Sequence, residues 1–175
     1  MRLTRSKLID LVNTPSYDWD NPQFCREKAA ELARLRGPLR RELSAVLEAS
    51  EGVNVADEIL ARALRSAAGV AGDGTGDSWA GDDPRGNIEL SRADLVPAAE
   101  HVAELERALA DVLRAYDRST VENPALENAA IDGWEALGAD PCRDLYERGR
   151  MADMYDKLRS DDPSLHGPWR PRVCN

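Results

Sequence analysis

The sequence predicts an all-α protein: a helical bundle of about six helices with a long Gly/Asp-rich loop in its middle. Ala (25) and Leu (20) dominate the 175 residues while Ile (4), Thr (4) and Phe (1) are scarce, a balance that favours helices over strands. Asn-Pro and Asp-Pro pairs stand ahead of apolar stripes, where a helix needs a cap and tolerates a proline. A heptad pattern of apolar residues also recurs for about three repeats after residue 95. At 42% hydrophobic and 31% charged, the chain can bury a core. With only nine aromatic residues, that core is expected to be mostly Leu, Ala and Val.

Thr4 is placed to cap a short first helix carrying Leu8, Leu11 and Val12, which Pro15 ends. Asn21-Pro22 then starts a second helix expected to run to about Leu35. Gly37-Pro38 reads as a break and restart, followed by a third helix on Leu39, Leu43, Val46 and Leu47. Asn54, with Asp57 and Glu58 behind it, is expected to cap a fourth helix. Its stripe would be Val55, Ile59, Leu60, Ala63 and Leu64, and it would close near Gly69. Short connections of this kind make antiparallel neighbours, so residues 1–70 read as a helical hairpin stack.

Composition changes after that. Residues 69–87 hold six glycines and four aspartates with Trp79 as the one large apolar group, so 71–90 reads as a flexible Gly/Asp-rich loop. The seam Val102, Leu105, Leu109, Val112 and Tyr116 follows, extended backward by Leu95 and Ala98. Its helix is expected over 97–118, with Pro97 in the first turn. Without a sustained charge code, the seam favours packing within the chain over an intermolecular coiled coil. Asn123-Pro124 opens a helix on Leu126, Ala130, Trp134 and Leu137 that stops at Gly138. Asp140-Pro141 opens another on Leu145, Met151, Met154, Tyr155 and Leu158, interrupted by Gly149. Residues 91–161 thus read as an acidic three-helix region, and 162–175, with Pro163, Pro168 and Pro171, as an extended tail.

The formal net charge of −9 is concentrated. Residues 1–70 carry 11 basic against 10 acidic groups and 139–175 carry 7 of each, whereas 71–138 carry 5 against 15. An acidic field of this kind repels nucleic-acid phosphates and suits a basic partner, or maintains solubility. The longest apolar runs are a few residues, far below the roughly 20 that span a bilayer. The first residues also lack the apolar stretch of a secretory leader. Cys25, Cys142 and Cys174 are odd in number and far apart, so neither a disulfide framework nor a metal knuckle is expected. A cytoplasmic location is the expectation. Arg outnumbers Lys 20 to 3, as the coding bias of a GC-rich genome produces, so a bacterial (actinobacterial, for instance) or phage accessory protein would fit.

Few constellations carry chemistry. Asp73, Thr75 and Asp77 alternate as in a calcium loop, but Ser78 and Pro84 stand where that loop needs glycine and glutamate. His101 beside Glu100 and Glu104 lacks the Glu-x-x-His pairing of a dimetal bundle, and His166 with Cys174 makes only two ligands. Without a nucleophile elbow, no catalytic residue is assigned, and no cofactor is expected. The leading expectation is a non-catalytic interaction or regulatory protein. It would present its acidic helical surface to a protein partner, or to a second copy, together with an arginine corner (Arg34, Arg36, Arg40, Arg41) and the tail pair Trp169 and Arg170. A second expectation is a metal-dependent all-helical phosphohydrolase holding Mg2+ or Mn2+ on Glu48, Glu51, Asp57 and Glu58. The third is DNA binding through the Arg34 to Arg41 corner, against which the acidic middle argues.

Overall fold

A computed structural model of the chain describes residues 12, 14, 19–53, 57–72, 90–139 and 146–159. These hold five α-helices and no strand: α1 (Pro22–Ser50), α2 (Glu58–Gly72), α3 (Arg92–Arg118), α4 (Pro124–Ala136) and α5 (Arg150–Arg159). No described helix is long and apolar enough to cross a membrane. Of the expected first helix, only helical, buried Val12 lies within the described residues. The Gly/Asp-rich stretch from 73 to 89, the Asp140-Pro141 start and the proline-bearing tail lie outside them.

Residues 22–50 correct the reading of a turn at Gly37-Pro38, because both residues lie inside one continuous helix. Its buried positions Cys25, Ala29, Leu32, Leu39, Leu43 and Val46 step by four, three, seven, four and three. That register passes through the dipeptide unbroken, and a turn would have rotated the two halves out of phase. Gly37 lacks the Cβ that would collide with the proline ring, so the residue before Pro38 can stay helical. What Pro38 removes is one amide that would have met the Arg34 carbonyl. Burial of the stripe along both halves outweighs that loss. At the start, the Asn21 side chain accepts from the Gln23 and Phe24 amides at 3.0 and 3.4 Å, as the Asn-Pro pair predicts.

Two further helix starts move. Asp57, rather than Asn54, caps α2, accepting from the Ile59 and Leu60 amides at 2.9 and 3.0 Å. The helix also runs through Gly69 to Gly72, two residues into the stretch read as loop. The central helix begins at Arg92, which places Pro97 inside it and beyond the first turn. The Asp94 carboxylate accepts from the Ser91 amide at 2.9 Å and from its hydroxyl at 2.6 Å, and these bonds hold its pKa below the usual carboxylate range. The end of α4 matches expectation: Gly138 at φ +90° donates to the Glu135 carbonyl and Ala139 to that of Trp134, at 2.9 and 3.0 Å. Gly149 at φ +84° stands just ahead of α5, so the last helix begins after the glycine and does not bridge it.

The seam residues Val102, Leu105, Leu109, Val112 and Tyr116 are all fully buried, and their partners belong to the same chain. Fourteen residues of α3 are buried, enough to cover most of its circumference, because α1, α2, α4 and α5 all pack on it. One core therefore draws on both sides of the Gly/Asp-rich stretch, from Val12 to Tyr155. The hairpin stack and the acidic helices do not stand apart. Helix α4 also packs on α1, and it approaches α3 closely at Gly133, where an added Cβ would meet Leu113 Cδ1 at 3.0 Å.

Candidate functional site

The arginine cluster changes character once α1 is continuous. At roughly 100° per residue, Arg34 and Arg41 share the face opposite the buried stripe, whereas Arg36 falls within the arc of the stripe and Arg40 at its edge. Burial agrees, since the first two are exposed and the second two half-buried. The corner expected at Gly37-Pro38 therefore does not exist, and the four side chains make two separate pairs on one rod. Arg41 contacts Glu42 at 2.7 Å. Trp169 and Arg170 fall outside the described residues.

The four acids proposed to hold a divalent cation are not brought together either. Glu48 and Glu51 are exposed about the end of α1, while the Asp57 carboxylate is engaged in capping α2. Among the described residues, no group of three or more His, Cys, Asp or Glu side chains is arranged to hold a metal ion. His101 Nδ1 lies 4.0 Å from Glu104 on the same helix.

The acidic middle is a surface feature. Of the ten acids between residues 90 and 139, only Glu106 and Asp117 are buried, and that stretch has four arginines against them. Glu100, Glu104 and Asp111 align on one exposed ridge of α3 at spacings of four and seven, interrupted by Arg107.

Beside that ridge, α2 and α3 enclose an open groove of about 440 Å³. Ala63 and Ala67 from α2 meet Ala108 and Ala115 from α3 in its lining, and their small side chains create the space. Ile59 stands at the groove, 69% exposed, which corrects its assignment to the buried stripe; Leu60 and Leu64 face the core instead. Arg62, Arg114 and Arg118 ring the opening with Asp57 and Asp111. Arg114 is engaged by Asp111 at 3.5 Å and by Asp156, but Arg62 and Arg118 make no ion pair or hydrogen bond among the described residues. Sequence reading missed this site because Ile59, Ala63 and Ser66 lie only one residue from the Leu60, Leu64 and Ala67 stripe. Ile59 and Ala63 are apolar at the same spacing as Leu60 and Leu64, so the sequence does not say which pair turns inward.

The buried acids serve two polar joints. Asp117 accepts from the Tyr146 hydroxyl at 2.9 Å, while Arg148 lies over the Tyr116 ring at 4.3 Å and donates to the Tyr116 hydroxyl at 2.6 Å. Arg148 also donates to the Ser119 and Val121 carbonyls at 3.2 and 2.7 Å, which ties residues 146–149 to the end of α3. Burial raises the Asp117 pKa. The Tyr146 hydroxyl, the Gly149 amide, the Trp134 indole and the Arg148 charge all oppose that rise. Its Oδ2 and Trp134 Nε1 are nonetheless buried without a well-formed hydrogen bond. Burial likewise pushes the Tyr116 and Tyr146 hydroxyls up. At the second joint, Glu106 accepts from the Tyr155 hydroxyl at 2.8 Å and pairs with Arg159 at 2.9 Å, fastening α5 to α3.

In comparisons with known proteins, no family model, no curated protein and no solved structure matches the chain.

Proposed function

We propose that this chain is a non-catalytic protein–protein interaction or accessory protein that presents an acidic helical surface to a partner. The observation that carries the reading is the solvent exposure of the acids on residues 90–139, with Glu100, Glu104 and Asp111 on one ridge. A field of that sign accelerates encounter with a basic surface and repels nucleic acid. Arg34 and Arg41 on the outer face of α1 offer a second contact region in this reading, to which the sequence adds Trp169 and Arg170, outside the described residues. Such a protein fits a regulatory or accessory role in the cytoplasm of a GC-rich bacterium, or in its phage.

Co-purification from the native host tests the proposal, with tagged wild type run beside a Glu100→Lys, Glu104→Lys variant. The expected result is a stoichiometric partner that elutes with added salt and is absent from the variant. Equal recovery of the same partner by both proteins would overturn the acidic ridge as the contact surface. A Tm raised by Mg2+ or Mn2+ and no longer raised in Glu51→Ala would instead favour a phosphohydrolase.

A further inference from the structure

The two polar joints differ in what they can release. We propose that the first is an anchor and the second a latch: α5 fills, on α3 and α4, a docking site for a partner's helix that presents an aromatic residue and an arginine four residues apart, and that helix displaces α5. The inference rests on the interaction reading and deepens it by naming the partner's contact and what holds the partner off. The occupant's chemistry is visible because α5 is itself seated there. Tyr155 and Arg159, one helical turn apart, both reach Glu106, the hydroxyl at 2.8 Å and the guanidinium at 2.9 Å. The Tyr155 ring also lies against Trp134 of α4, with centroids 5.8 Å apart. A fully buried indole and a carboxylate side chain only 6% exposed thus meet one short helix. The contact sets a basic, aromatic face on an acid of α3, the sign of partner that the exposed acids of α3 also favour.

Three features make this contact releasable. An apolar pair at these positions would hold α5 at least as tightly, because burying a carboxylate beside a guanidinium offsets much of their attraction. Helix α5 has ten residues and buries two of them, short of the roughly 12–15 at which an isolated helix becomes even marginal, so its order depends on the joint. Gly149, at φ +84°, stands immediately ahead of it as a hinge. Before the glycine, Tyr146 and Arg148 stay fastened to Asp117, Tyr116, Ser119 and Val121 by four hydrogen bonds. Release therefore stops at Gly149. The freed segment remains tethered beside its own site, at a high effective concentration against which a partner's helix must compete.

Uptake by the full chain of a labelled peptide with the sequence of residues 149–160, followed by fluorescence anisotropy, tests the proposal. The wild type, whose own α5 fills the site, is expected to take it up weakly. Arg159→Glu in the full chain sets two carboxylates together, opens the latch and is expected to tighten uptake about tenfold. Asp156→Arg, which repels Arg114 from an exposed position, is expected to act in the same direction. A peptide that itself carries Arg159→Glu is expected not to bind the opened chain, and Leu158→Glu, exposed on α5, to leave the wild-type value unchanged. Retained amide protection over 92–118 checks that the opened chains are folded. Equal uptake by wild type and both opened chains overturns the latch, as does no uptake by any of them at millimolar peptide. A host partner that depends on Glu100 and Glu104 but binds wild type and Arg159→Glu alike overturns the latch and leaves the acidic-ridge reading standing. Uptake raised by opening, with a host partner indifferent to Glu100→Lys and Glu104→Lys, supports the latch and overturns the ridge alone.

Discussion

Helices α3 and α5 are both attached to the same core, by opposite means. The longer one buries fourteen of its residues and is held by apolar contact on nearly every side. The shorter buries only Met151 and Tyr155, and it stays in place through Glu106, Arg114, Tyr155, Asp156 and Arg159. Arg114 adds a cation–π contact, its guanidinium 5.3 Å from the Tyr155 ring centre. Apolar attachment is strong and indifferent to salt; polar attachment is directional, weaker and screened. The difference predicts that α3 opens only when the whole protein unfolds and that α5 can detach locally.

Substitutions can sharpen that contrast. Leu105→Ala removes a fully buried side chain from the middle of α3 and is expected to lower global stability by about 3 kcal/mol in urea unfolding. Arg148→Ala leaves the Tyr116 hydroxyl and two carbonyls without their donor, for a loss of about 2 kcal/mol. Asp117 adds a pH signature. Its folded pKa is raised, so the folded state binds the proton more tightly than the unfolded one. Stability therefore falls as pH climbs from the ordinary carboxylate value through the raised one, then levels off. Melting of Asp117→Asn across that range is expected to lose this slope.

Tyr155→Phe removes one hydrogen bond to Glu106, a loss of about 1 kcal/mol, and the comparison predicts where it shows. Amide exchange is expected to quicken in 150–159 and not in 92–118, the more so in high salt. Two glycines contrast on a smaller scale. Gly69→Ala meets open space on an exposed turn of α2 and is expected to stabilise by about 0.5–1 kcal/mol. At Gly133 the same change drives a methyl against buried Leu113 and Leu109, for a net loss of about 1 kcal/mol by thermal unfolding. Leu158→Ala, half-exposed at the end of α5, is expected to stay within about 0.5 kcal/mol.

What was legible in the sequence follows the same division. The α3 seam, the Asn21 and Asn123 caps and the Gly138 stop were readable, because apolar period and cap chemistry are written within a few residues. The Gly37-Pro38 turn was misread because local breaker chemistry pointed one way and the register of Cys25 through Val46 the other. Register decided, since six buried side chains outweigh one absent hydrogen bond. The second polar joint was out of reach: Glu106 to Tyr155 spans 49 residues, and nothing near either residue announces the other. The groove was hidden for another reason. Whether Ile59 or Leu60 turns inward depends on where α3 lies, which no window of sequence contains.

The shared core also bears on synthesis. Arg92 Nε donates to the Val12 carbonyl at 2.9 Å across 80 residues, and the stripes of α1 and α2 close on α3. While the chain leaves the ribosome from its N-terminus, Leu32, Leu39, Leu43, Leu60 and Leu64 emerge before the helix that covers them exists. The first half of the nascent protein must carry an open apolar surface until residue 118 has cleared the exit, and only then can folding become cooperative.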